Sequence, residues 1–479
     1  MKRIVNAFLG KLNWGEQAYA VLALCATTAI ALPAQTFTTV FSFNDTDGSQ
    51  PEVALVQASN GDLYGTTAVG GANGSGTVFK MTTNGGTLTT LYNFCVQSGC
   101  PDGSFPEGVV QATNGDFYGT TVYGGADGGG TIFKITPGGT LTTLYSFCSQ
   151  SGCTDGEYPE AALVQATSGD LFGTTEGGGA NGGGTVFKIT PAGAFTLLYS
   201  FCSQSKCTDG NSPEAPLVQA TNGDLYGTTA AGGSSWCHPG GCGTIFRITP
   251  SGTFTTVHLF CLQEGNCPDG IEPRAGLVQA SDGNLYGTTY VGGTAQEAQG
   301  TAFRMTPGGT LTTLYSFCNG CDGGFNPMEG LVQATDGNLY GIAYATVFKL
   351  SLSGTLTSVG GLATTAYAAL IQDTNGDLYG TTVQAGTYGY GTVFSLSVGL
   401  GPFVETQTTV GKVGAHVKIL GTDLTGATSV SFNGTAADFT VVSPSLITTT
   451  VPSGATTGKV EVVTPSGALS TYVPYRVRP

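Results

Sequence analysis

One eight-residue motif, NGDLYGTT, returns along this chain and constrains its fold more than any other feature. The motif and its close copies occupy residues 60–67, 114–121, 168–175, 222–229, 282–289, 336–343 and 375–382. The glycines at the second position lie 54, 54, 54, 60, 54 and 39 residues apart. A near-constant period of this length is typical of repeat architectures. The sequence therefore predicts seven repeat units.

Each unit contains four segments with the composition of β-strands. In the second unit, VVQA (109–112) leads through a TNGD turn into FYGTT (117–121). A glycine-rich loop then precedes GTIFKIT (130–136), and a PGG turn precedes TLTTLYSF (140–147). Val, Ile, Thr, Tyr and Phe between Asn-Gly and Pro-Gly turns indicate antiparallel hairpins, because Gly and Asn accept the positive φ that tight turns need. Each unit is predicted to be a four-stranded antiparallel sheet.

The two ends of the repeat region predict how these sheets are arranged. TFTTVFSF (36–43) copies the last strand of a unit, whereas the seventh unit stops at GTVFSLS (391–397) without such a strand. The N-terminal strand is therefore available to complete the seventh sheet, and ring closure removes exposed sheet edges. We expect an all-β chain in which residues 35–400 form a seven-bladed β-propeller closed by the N-terminal strand.

The N-terminus and the charge balance indicate export and argue against nucleic acid. Residues 1–34 combine Lys2, Arg3 and Lys11 with an apolar stretch from Ala18 to Leu32, as in a signal peptide. That stretch is shorter than the roughly 20 residues of a spanning helix, and no later segment is long and apolar enough. The formal net charge is −15, and the Lys and Arg clusters that bind phosphate are absent. We expect a secreted or cell-surface protein.

Cysteine spacing supports the same compartment. An even number of locally paired cysteines in an exported chain predicts disulfides. A zinc site is disfavoured because it would need pairs of pairs or histidines, and the chain has three histidines. We expect no metal and no cofactor. Apart from Cys25, the twelve cysteines form six close pairs: Cys95 with Cys100, Cys148 with Cys153, Cys202 with Cys207, Cys237 with Cys242, Cys261 with Cys267, and Cys318 with Cys321.

In a propeller, the cysteine loops, such as residues 148–160, and the glycine loops, such as residues 122–130, emerge on one face. The other face carries the short NGD and PGG turns. Length variation, including the insertion WCHPGGC (236–242), is confined to the first face. Insertions in repeat proteins tend to map to the binding side, so this face is the predicted binding face.

Residues that recur in every unit are interpreted as scaffold. A glutamine in each innermost strand is expected to form hydrogen bonds between blades: Gln57, Gln111, Gln165, Gln219, Gln279, Gln333 and Gln372. The aspartates of the Asp-Gly-x-x-Pro element are expected to make turns: Asp102, Asp155, Asp209 and Asp269, with Asp47 in the first unit.

Catalytic patterns are sparse. His238, His258 and His416 occupy unrelated contexts and suggest no Ser-His-Asp set. Glu107, Glu160 and Glu214 could pair for glycosidic cleavage, but acids at equivalent loop positions are expected to be solvated.

The repeat pattern GTVFKxTxxGTLTTLYSF followed by DGxxPxxxLVQATNGDLYGTT resembles the tandem repeats of the bacterial GloVer family, over about residues 36–397. The resemblance implies an exported or surface protein and transfers no catalytic residue. The seventh unit departs from the pattern, because it lacks the cysteines and the Asp-Gly-x-x-Pro loop.

The composition changes at Gly401. Residues 401–479 lack cysteine and the repeat motif, and their short alternating strands predict a β-sandwich. The elements VSFNG (430–434), VPSGATTG (451–458) and VVTPSG (462–467) resemble a TIG (IPT) immunoglobulin-like domain. In exported bacterial proteins this resemblance implies a spacer or adhesion module.

Two functions are compatible with this sequence. The first is non-catalytic binding of a polysaccharide or a surface protein on the loop face, where Trp236, Tyr123, Tyr290, Tyr388 and Tyr390 could stack on sugar rings; ordinary loop packing is the alternative for each ring. The second is a carbohydrate-active enzyme, a lyase or a glycosidase, on the same scaffold. A unique acid or histidine at the centre of the face would separate the two, and none is evident in the sequence.

Overall fold

The computed structural model describes residues 35–478, except 84–85, 235–236, 238–239, 263–266 and 296–297. The export signal expected at 1–34, Trp236 and His238 lie outside the described residues. Strands dominate the described part, whose helical segments are two 3-10 turns, Ser151–Cys153 and Ser205–Cys207. None of its segments is a helix of the length and apolarity needed to cross a membrane.

The repeats fold into four-stranded antiparallel sheets whose strands follow chain order. The first three sheets contain β2 (Val56–Gln57), β3 (Leu63–Thr67), β4 (Thr77–Met81) and β5 (Leu88–Asn93); β6 (Ser104–Gln111), β7 (Phe117–Tyr123), β8 (Thr131–Ile135) and β9 (Leu141–Ser146); β10 (Val164–Gln165), β11 (Leu171–Thr175), β12 (Thr185–Ile189) and β13 (Phe195–Ser200).

The next three sheets contain β14 (Val218–Gln219), β15 (Leu225–Thr229), β16 (Thr244–Ile248) and β17 (Phe254–Leu259); β18 (Val278–Gln279), β19 (Leu285–Thr289), β20 (Ala298–Met305) and β21 (Leu311–Cys318); β22 (Val332–Gln333), β23 (Leu339–Ala343), β24 (Thr346–Leu350) and β25 (Leu356–Gly361).

The seventh sheet takes its fourth strand from the N-terminus. It joins β1 (Thr36–Ser42) to β28 (Thr392–Ser397), which is followed by β27 (Leu378–Thr382) and β26 (Ile371–Gln372). The pairing of β1 with β28 shifts register by one residue between Thr39 and Phe41. The same shift occurs in the second sheet, between Ile132 and Phe133 of β8. Strand β1 therefore has the register of a fourth strand.

The core lies between neighbouring sheets, because the second strand of each sheet is buried on both of its faces. All five residues of β11 are buried, and so are those of β3, β15, β19, β23 and β27. The Phe187 ring packs directly over Gly173, where a Cβ atom would lie 2.6 Å from the ring. A side chain at this position would displace the ring, which explains the glycine in LYGTT.

Glutamine side chains link each sheet to the next one. Each carbonyl oxygen accepts a backbone N–H from the preceding sheet: Ser59 to Gln111, Thr113 to Gln165, Thr167 to Gln219, Thr221 to Gln279, Ser281 to Gln333, Thr335 to Gln372 and Thr374 to Gln57. The last bond joins the seventh sheet to the first. These half-buried amides have the inter-sheet role that the sequence predicts.

The C-terminal residues form a two-layer sandwich. One layer has the order β29 (Val404–Thr406), β31 (His416–Gly421), β35 (Leu446–Thr450), β34 (Phe439–Ser443). The other has the order β33 (Thr435–Ala437), β32 (Ser429–Phe432), β36 (Val460–Thr464), β37 (Gly467–Ser470). Strand β30 (Val410–Lys412) pairs in parallel with β38 (Arg476–Arg478). Val417, Ile419, Val430 and Phe432 are among the buried residues between the layers.

This sandwich packs against the face that carries the NGD turns, which we call the turn face. Six side-chain hydrogen bonds join it to that face: Gln407 to Ala112 O, Lys418 to Thr113 O, Ser445 to Ser59 O, Arg476 to Thr221 O, the Tyr472 hydroxyl to Ser281 Oγ, and Thr422 Oγ1 with Thr374 Oγ1. Phe403 N–H also donates to Thr374 O over 3.0 Å. The sandwich thus lies on the side of the repeats that is opposite to the cysteine loops.

Candidate functional site

The cysteine loops and the glycine loops meet on one face, which we call the loop face. The Gly179 N–H donates to Cys153 O over 2.9 Å, and Gly233 N–H donates to Cys207 O over the same distance. Backbone bonds of this kind hold the two kinds of loop together within a unit.

Disulfides close the cysteine loops in the six local pairs that the sequence predicts. Each bridge closes a short loop and limits its conformations. The Cys237–Cys242 bridge lies within the insertion of the fourth unit, and Cys242 is fully buried. The pairs are Cys95 with Cys100, Cys148 with Cys153, Cys202 with Cys207, Cys237 with Cys242, Cys261 with Cys267, and Cys318 with Cys321.

The aspartate of the Asp-Gly-x-x-Pro element fixes the start of each cysteine loop. The buried Asp155 accepts bonds from Ser149 N and Ser149 Oγ at 3.1 and 2.8 Å, and from the Tyr145 hydroxyl at 2.8 Å. Burial and the neighbouring carboxylate raise the pKa of Tyr145 to about 12. In the fifth unit His258 takes the place of the tyrosine, and its Nε2 lies 3.0 Å from Asp269. This histidine therefore belongs to the scaffold.

The proline of the same element seats each loop against the preceding sheet. A Cβ atom at Gly130 would lie 2.7 Å from Pro159 Cδ, and one at Gly391 would lie 2.5 Å from Pro51 Cδ. Glycine is therefore needed where the proline ring packs. The residue after the proline is a glutamate in four units, and the sixth unit places a glutamate one residue later. We call these residues the acid cluster: Glu52, Glu107, Glu160, Glu214 and Glu329.

These acids are half-buried. The expectation that they would be solvated is therefore wrong. Burial, reinforced by the charges of Glu52 and Glu160, raises the pKa of Glu107 to about 8. Burial also raises the pKa of Glu329 well above its usual range, and the charges of Glu107 and Glu52 add to this effect. Carboxyls from different units therefore disfavour each other's ionisation. At neutral pH part of the cluster is protonated and can donate hydrogen bonds.

Glu160 has an additional partner that the sequence analysis missed. Burial raises its pKa to about 8, and its hydrogen bond to Glu176 and the charges of Glu176 and Glu214 act in the same direction. Glu176 follows β11, where the first two units have Ala68 and Val122. An alignment of the units would have found this acid as a substitution specific to the third unit.

The fifth unit carries Arg274 where four other units carry glutamate. Its guanidinium lies 3.3 Å from Glu214 Oε2 and 3.1 Å from Glu272 Oε2. It also lies over the ring of Tyr290, 5.4 Å from the centroid. Arg274 thus neutralises part of the charge on one side of the cluster, and it too could have been found by aligning the units.

An aromatic group lies beside the cluster on the second and third units. Tyr123, which is 46% exposed, contacts Phe105 at 5.7 Å and Tyr158 at 5.6 Å between ring centroids. Both contacts are edge-on, a favourable geometry for aromatic pairs. We call Phe105, Tyr123 and Tyr158 the aromatic crest. Only Tyr123 of the three is among the sequence-predicted ligand contacts.

The other predicted tyrosines lie elsewhere on the loop face. Tyr290 borders a cavity of about 110 Å³ together with Phe325, Asn326 and Tyr344. Phe325 and Tyr344 are stacked, with ring centroids 4.5 Å apart. Tyr388 and Tyr390 are 61% and 40% exposed in the glycine loop of the seventh sheet. The structure places Tyr123 and Tyr290 beside the acid cluster, and Trp236 lies outside the described residues.

Possible metal ligands come together at two places on the described chain. Atoms of Cys148, Cys153 and Glu157 lie within 4.8 Å of one another, and so do those of Cys237, Cys261 and Cys267. All five cysteines are joined in disulfides, so their sulfurs are not the thiolates that bind metal ions. Apart from these cysteines, the first group contains one further metal ligand, Glu157, and the second contains none.

Comparisons with known proteins agree with the division of the chain. The Gloeobacter/Verrucomicrobia repeat profile matches residues 26–168 and 152–346, and the IPT/TIG domain profile matches residues 402–477. A comparison with curated proteins found no match.

Solved structures resemble the fold at low sequence identity. A streptogramin B lyase is 12% identical with a TM-score of 0.50, and the match covers 76% of this chain and 97% of that one. A fungal alcohol oxidase of the AA5 family, in complex with copper, is 14% identical with a TM-score of 0.50. The match covers 92% of this chain and 98% of that one. These similarities concern the fold alone, an all-β, propeller-like array of repeated four-stranded sheets.

Proposed function

The chain belongs to the Gloeobacter/Verrucomicrobia repeat family, and we propose that it is a secreted or cell-surface protein that binds a glycan on its loop face without catalysis. Six disulfides support an oxidising compartment. The C-terminal module, residues 401–479, would act as a spacer. Its position on the turn face leaves the loop face accessible.

We further infer that the repeat sheets, over residues 35–400, form a seven-bladed propeller closed by the N-terminal strand. The glutamine bonds support this inference, because they run from sheet to sheet and return from Thr374 to Gln57. A buried threonine pattern supports it as well. Thr120 Oγ1 donates to Ala161 O of the next sheet over 3.0 Å, and Thr381 Oγ1 donates to Pro51 O of the first sheet over 2.6 Å.

Ring closure would bring the acid cluster together around the axis. The effect of Glu107 and Glu52 on the pKa of Glu329 supports this arrangement, since these acids belong to the second, first and sixth units. Electrostatic effects of this kind require proximity. We refer to the opening that the cluster surrounds as the mouth.

The observation that carries the proposal is the combination of half-buried carboxyls, whose burial favours the protonated form, with the exposed ring of Tyr123 beside them. A sugar offers an apolar C–H face and several hydroxyls. Aromatic rings cover the former, and carboxyl groups that donate and accept hydrogen bonds satisfy the latter. A few polar groups among aromatic rings are the composition found in small-molecule sites.

The charge of the mouth narrows the class of glycan. The carboxyls of the cluster and of Glu272 outnumber the one cation beside them, Arg274. An anionic polysaccharide would meet repulsion on approach, and its carboxylates would raise the pKa values further. We therefore assign a neutral glycan as the ligand.

The experiment is a binding screen of the full secreted chain on immobilised neutral, amino-sugar and anionic polysaccharides. The proposal expects retention on at least one neutral polysaccharide and none on uronate polymers such as alginate. Tyr123→Ala should weaken binding about ten-fold, as expected when one stacking ring is lost. Leu197→Ala is the matched control, because Leu197 is 40% exposed on the outer strand β13 of the third sheet.

Retention on anionic polymers alone, or on none, would contradict the proposal. Equal weakening by Tyr123→Ala and Leu197→Ala would also contradict it. If the chain bound a purified surface protein and no glycan, the ligand of the loop face would be a protein and the glycan proposal would be contradicted.

A second function is favoured by one observation, the proximity of two carboxyls with different partners, Glu160 beside Glu176 and Glu214 beside Arg274. The pKa of Glu160 is raised to about 8, whereas the neighbouring Glu214 is paired with Arg274. An acid beside a carboxylate is the arrangement used in glycoside cleavage. Incubating the bound polysaccharide with the protein and analysing the products decides between the two functions. Products that disappear in Glu160→Gln would establish the enzyme and overturn the non-catalytic proposal.

A further inference from the structure

One residue in each of the first six units has a strained backbone at the edge of the acid cluster. It is the residue before the proline of the Asp-Gly-x-x-Pro loop or its counterpart, and its φ is positive in every case: Gln50 (56°), Phe105 (58°), Tyr158 (57°), Ser212 (55°), Glu272 (55°) and Asn326 (49°). Positive φ is unusual for any residue with a side chain and is an outlier for bulky ones. A following proline disfavours helical conformations further.

The bonds that hold this backbone conformation are made by peptide groups and do not require a side chain. Each of these residues donates its N–H to the preceding unit, as Tyr158 does to Gly129 O over 2.9 Å and Gln50 to Tyr390 O over 3.1 Å. The carbonyls are used as well, since Glu176 N–H donates to Tyr158 O over 2.8 Å. These are peptide-group bonds, which a glycine would make equally well and without strain.

The chain nevertheless places six different side chains at this position. Glycine is available in the same loop, for example Gly156 with a φ of 105°. Residues held in strained backbone conformations cluster at ligand sites in many proteins. Six side chains of differing chemistry at equivalent, rigidly held positions form a pattern suited to recognition.

The contacts of these side chains divide the mouth into two halves. Phe105 and Tyr158 flank Tyr123 and complete the aromatic crest. On the other side, Glu272 holds Arg274, and Asn326 Nδ2 donates to Tyr290 O over 2.9 Å. Gln50 and Ser212 add amide and hydroxyl groups.

We propose that these six residues, the pre-proline ring, are the specificity-determining contacts of the loop face for an extended neutral glycan whose sugars stack on the crest and whose hydroxyls bond to the polar half. This inference rests on the proposed function. It also assigns Phe105 and Tyr158 as ligand contacts in addition to the exposed Tyr123.

The test substitutes the strained residues by glycine in the full chain and measures both affinity and melting temperature. Phe105→Gly and Tyr158→Gly should each weaken binding of the best neutral polysaccharide from the screen about ten-fold. The melting temperature should not fall, because glycine adopts positive φ without steric cost. Asp423→Gly is the matched control, since Asp423 has a φ of 56° and is exposed in the C-terminal module; it should leave affinity unchanged.

A second pair of variants distinguishes the loss of the ring from a folding defect. Phe105→Asn and Tyr158→Asn retain a residue that tolerates left-handed backbone but lack the ring, and they should weaken binding to the same extent.

The outcomes separate this inference from the proposed function. If wild type binds a neutral glycan and Tyr123→Ala weakens it, while all pre-proline variants bind as wild type, the inference is overturned and the proposed function stands. If the glycine and asparagine variants both lower the melting temperature and leave affinity intact, the side chains are structural and the inference is overturned. If wild type binds no glycan, both fail together.

Discussion

Thr374 donates its backbone N–H to the side-chain oxygen of Gln57 over 3.1 Å, although 317 positions separate the two residues. Gln57 returns a bond from its Nε2 to Thr374 Oγ1 over 3.0 Å. The other six glutamines bridge sheets that are consecutive in the chain, so this contact between the last and the first sheet is the long-range member of the series.

Replacing a bridging glutamine by leucine should destabilise the protein without affecting the loop face. Gln165→Leu removes the bonds to the Thr113 N–H, which is exposed, and to the Gly169 carbonyl, which is part-buried, at a cost of about 0.5–1.5 kcal/mol for each bond. Gln57→Leu should cost a similar amount if the first and seventh sheets are joined. Thermal unfolding of both variants tests this. A neutral Gln57→Leu beside a destabilised Gln165→Leu would contradict closure.

The N-terminal strand should contribute as much to the stability of the protein as the fourth strand of any other sheet. Phe43 is fully buried and contacts Phe79 at 5.3 Å between ring centroids, and Phe147 occupies the same place in the second unit with Phe187 at 5.2 Å. Phe43→Ala and Phe147→Ala should each lower the unfolding free energy by roughly 3–5 kcal/mol. Deleting residues 35–44 should cause a larger loss or aggregation. An intact melting temperature after the deletion would show that β1 does not complete the seventh sheet.

Asp373 should be a removable source of instability. Six units have alanine at this position, whereas the Asp373 carboxyl is buried and its Oδ2 has no hydrogen-bond partner. Burial, with a smaller contribution from Asp377, raises its pKa to about 6. The folded state therefore disfavours the charged form, and the cost appears as the pH rises from about 4 to about 6 and stays constant above that.

The shift of the Asp373 pKa corresponds to about 3 kcal/mol, and the lost bond from Asn375 N offsets about 1 kcal/mol of it. Asp373→Ala should accordingly stabilise the protein at pH 7 by about 2 kcal/mol. The gain should vanish near pH 3.5, where the carboxyl is protonated in both states. Melting temperatures at the two pH values provide the measurement. A destabilised variant at pH 7 would contradict this account of the buried carboxyl.

The disulfides should lie within loops. Each one closes a loop of about six residues or fewer, so removing Cys148 and Cys153 together by serine substitution should cost no more than about 2 kcal/mol. Peptide mapping without reduction identifies the pairs directly. A Cys100–Cys148 linkage, or free thiols in the exported protein, would contradict both the pairing and the compartment.

The sequence predicts the repeat architecture well because the same strand, turn and glutamine positions recur in successive units. The four strands, the role of TFTTVFSF and the glutamine bonds follow from residues that recur with a fixed period. Residues that differ from those at the same position in other units distinguish one unit from the next. Examples are Arg274 in place of glutamate, Glu176 in place of an apolar residue and Asp373 in place of alanine. They are visible in the sequence, but their consequences depend on which residues of other units lie close to them in the folded chain.

Other features leave no residue-specific signal. The C-terminal module docks partly through backbone carbonyls such as Thr113 O and Thr221 O, which any sequence would offer. The positive φ of Phe105 and Tyr158 contradicts local preference and arises from bonds to the preceding unit. The acids at 107 and 160 were expected to be solvated, because a single unit gives no indication that others contribute carboxyls to the same place.

The central claim, that the mouth binds a neutral glycan through protonated carboxyls, is tested most directly by calorimetric titration of such a glycan between pH 6 and pH 9.5. The pKa values of Glu107 and Glu160 are raised to about 8, so the proton that each can donate is present below that pH and lost above it. Affinity should therefore be constant near pH 6 and fall as the pH passes through about 8, with the melting temperature followed as a control. Affinity that is unchanged to pH 9.5, or that rises with ionisation, would contradict the claim.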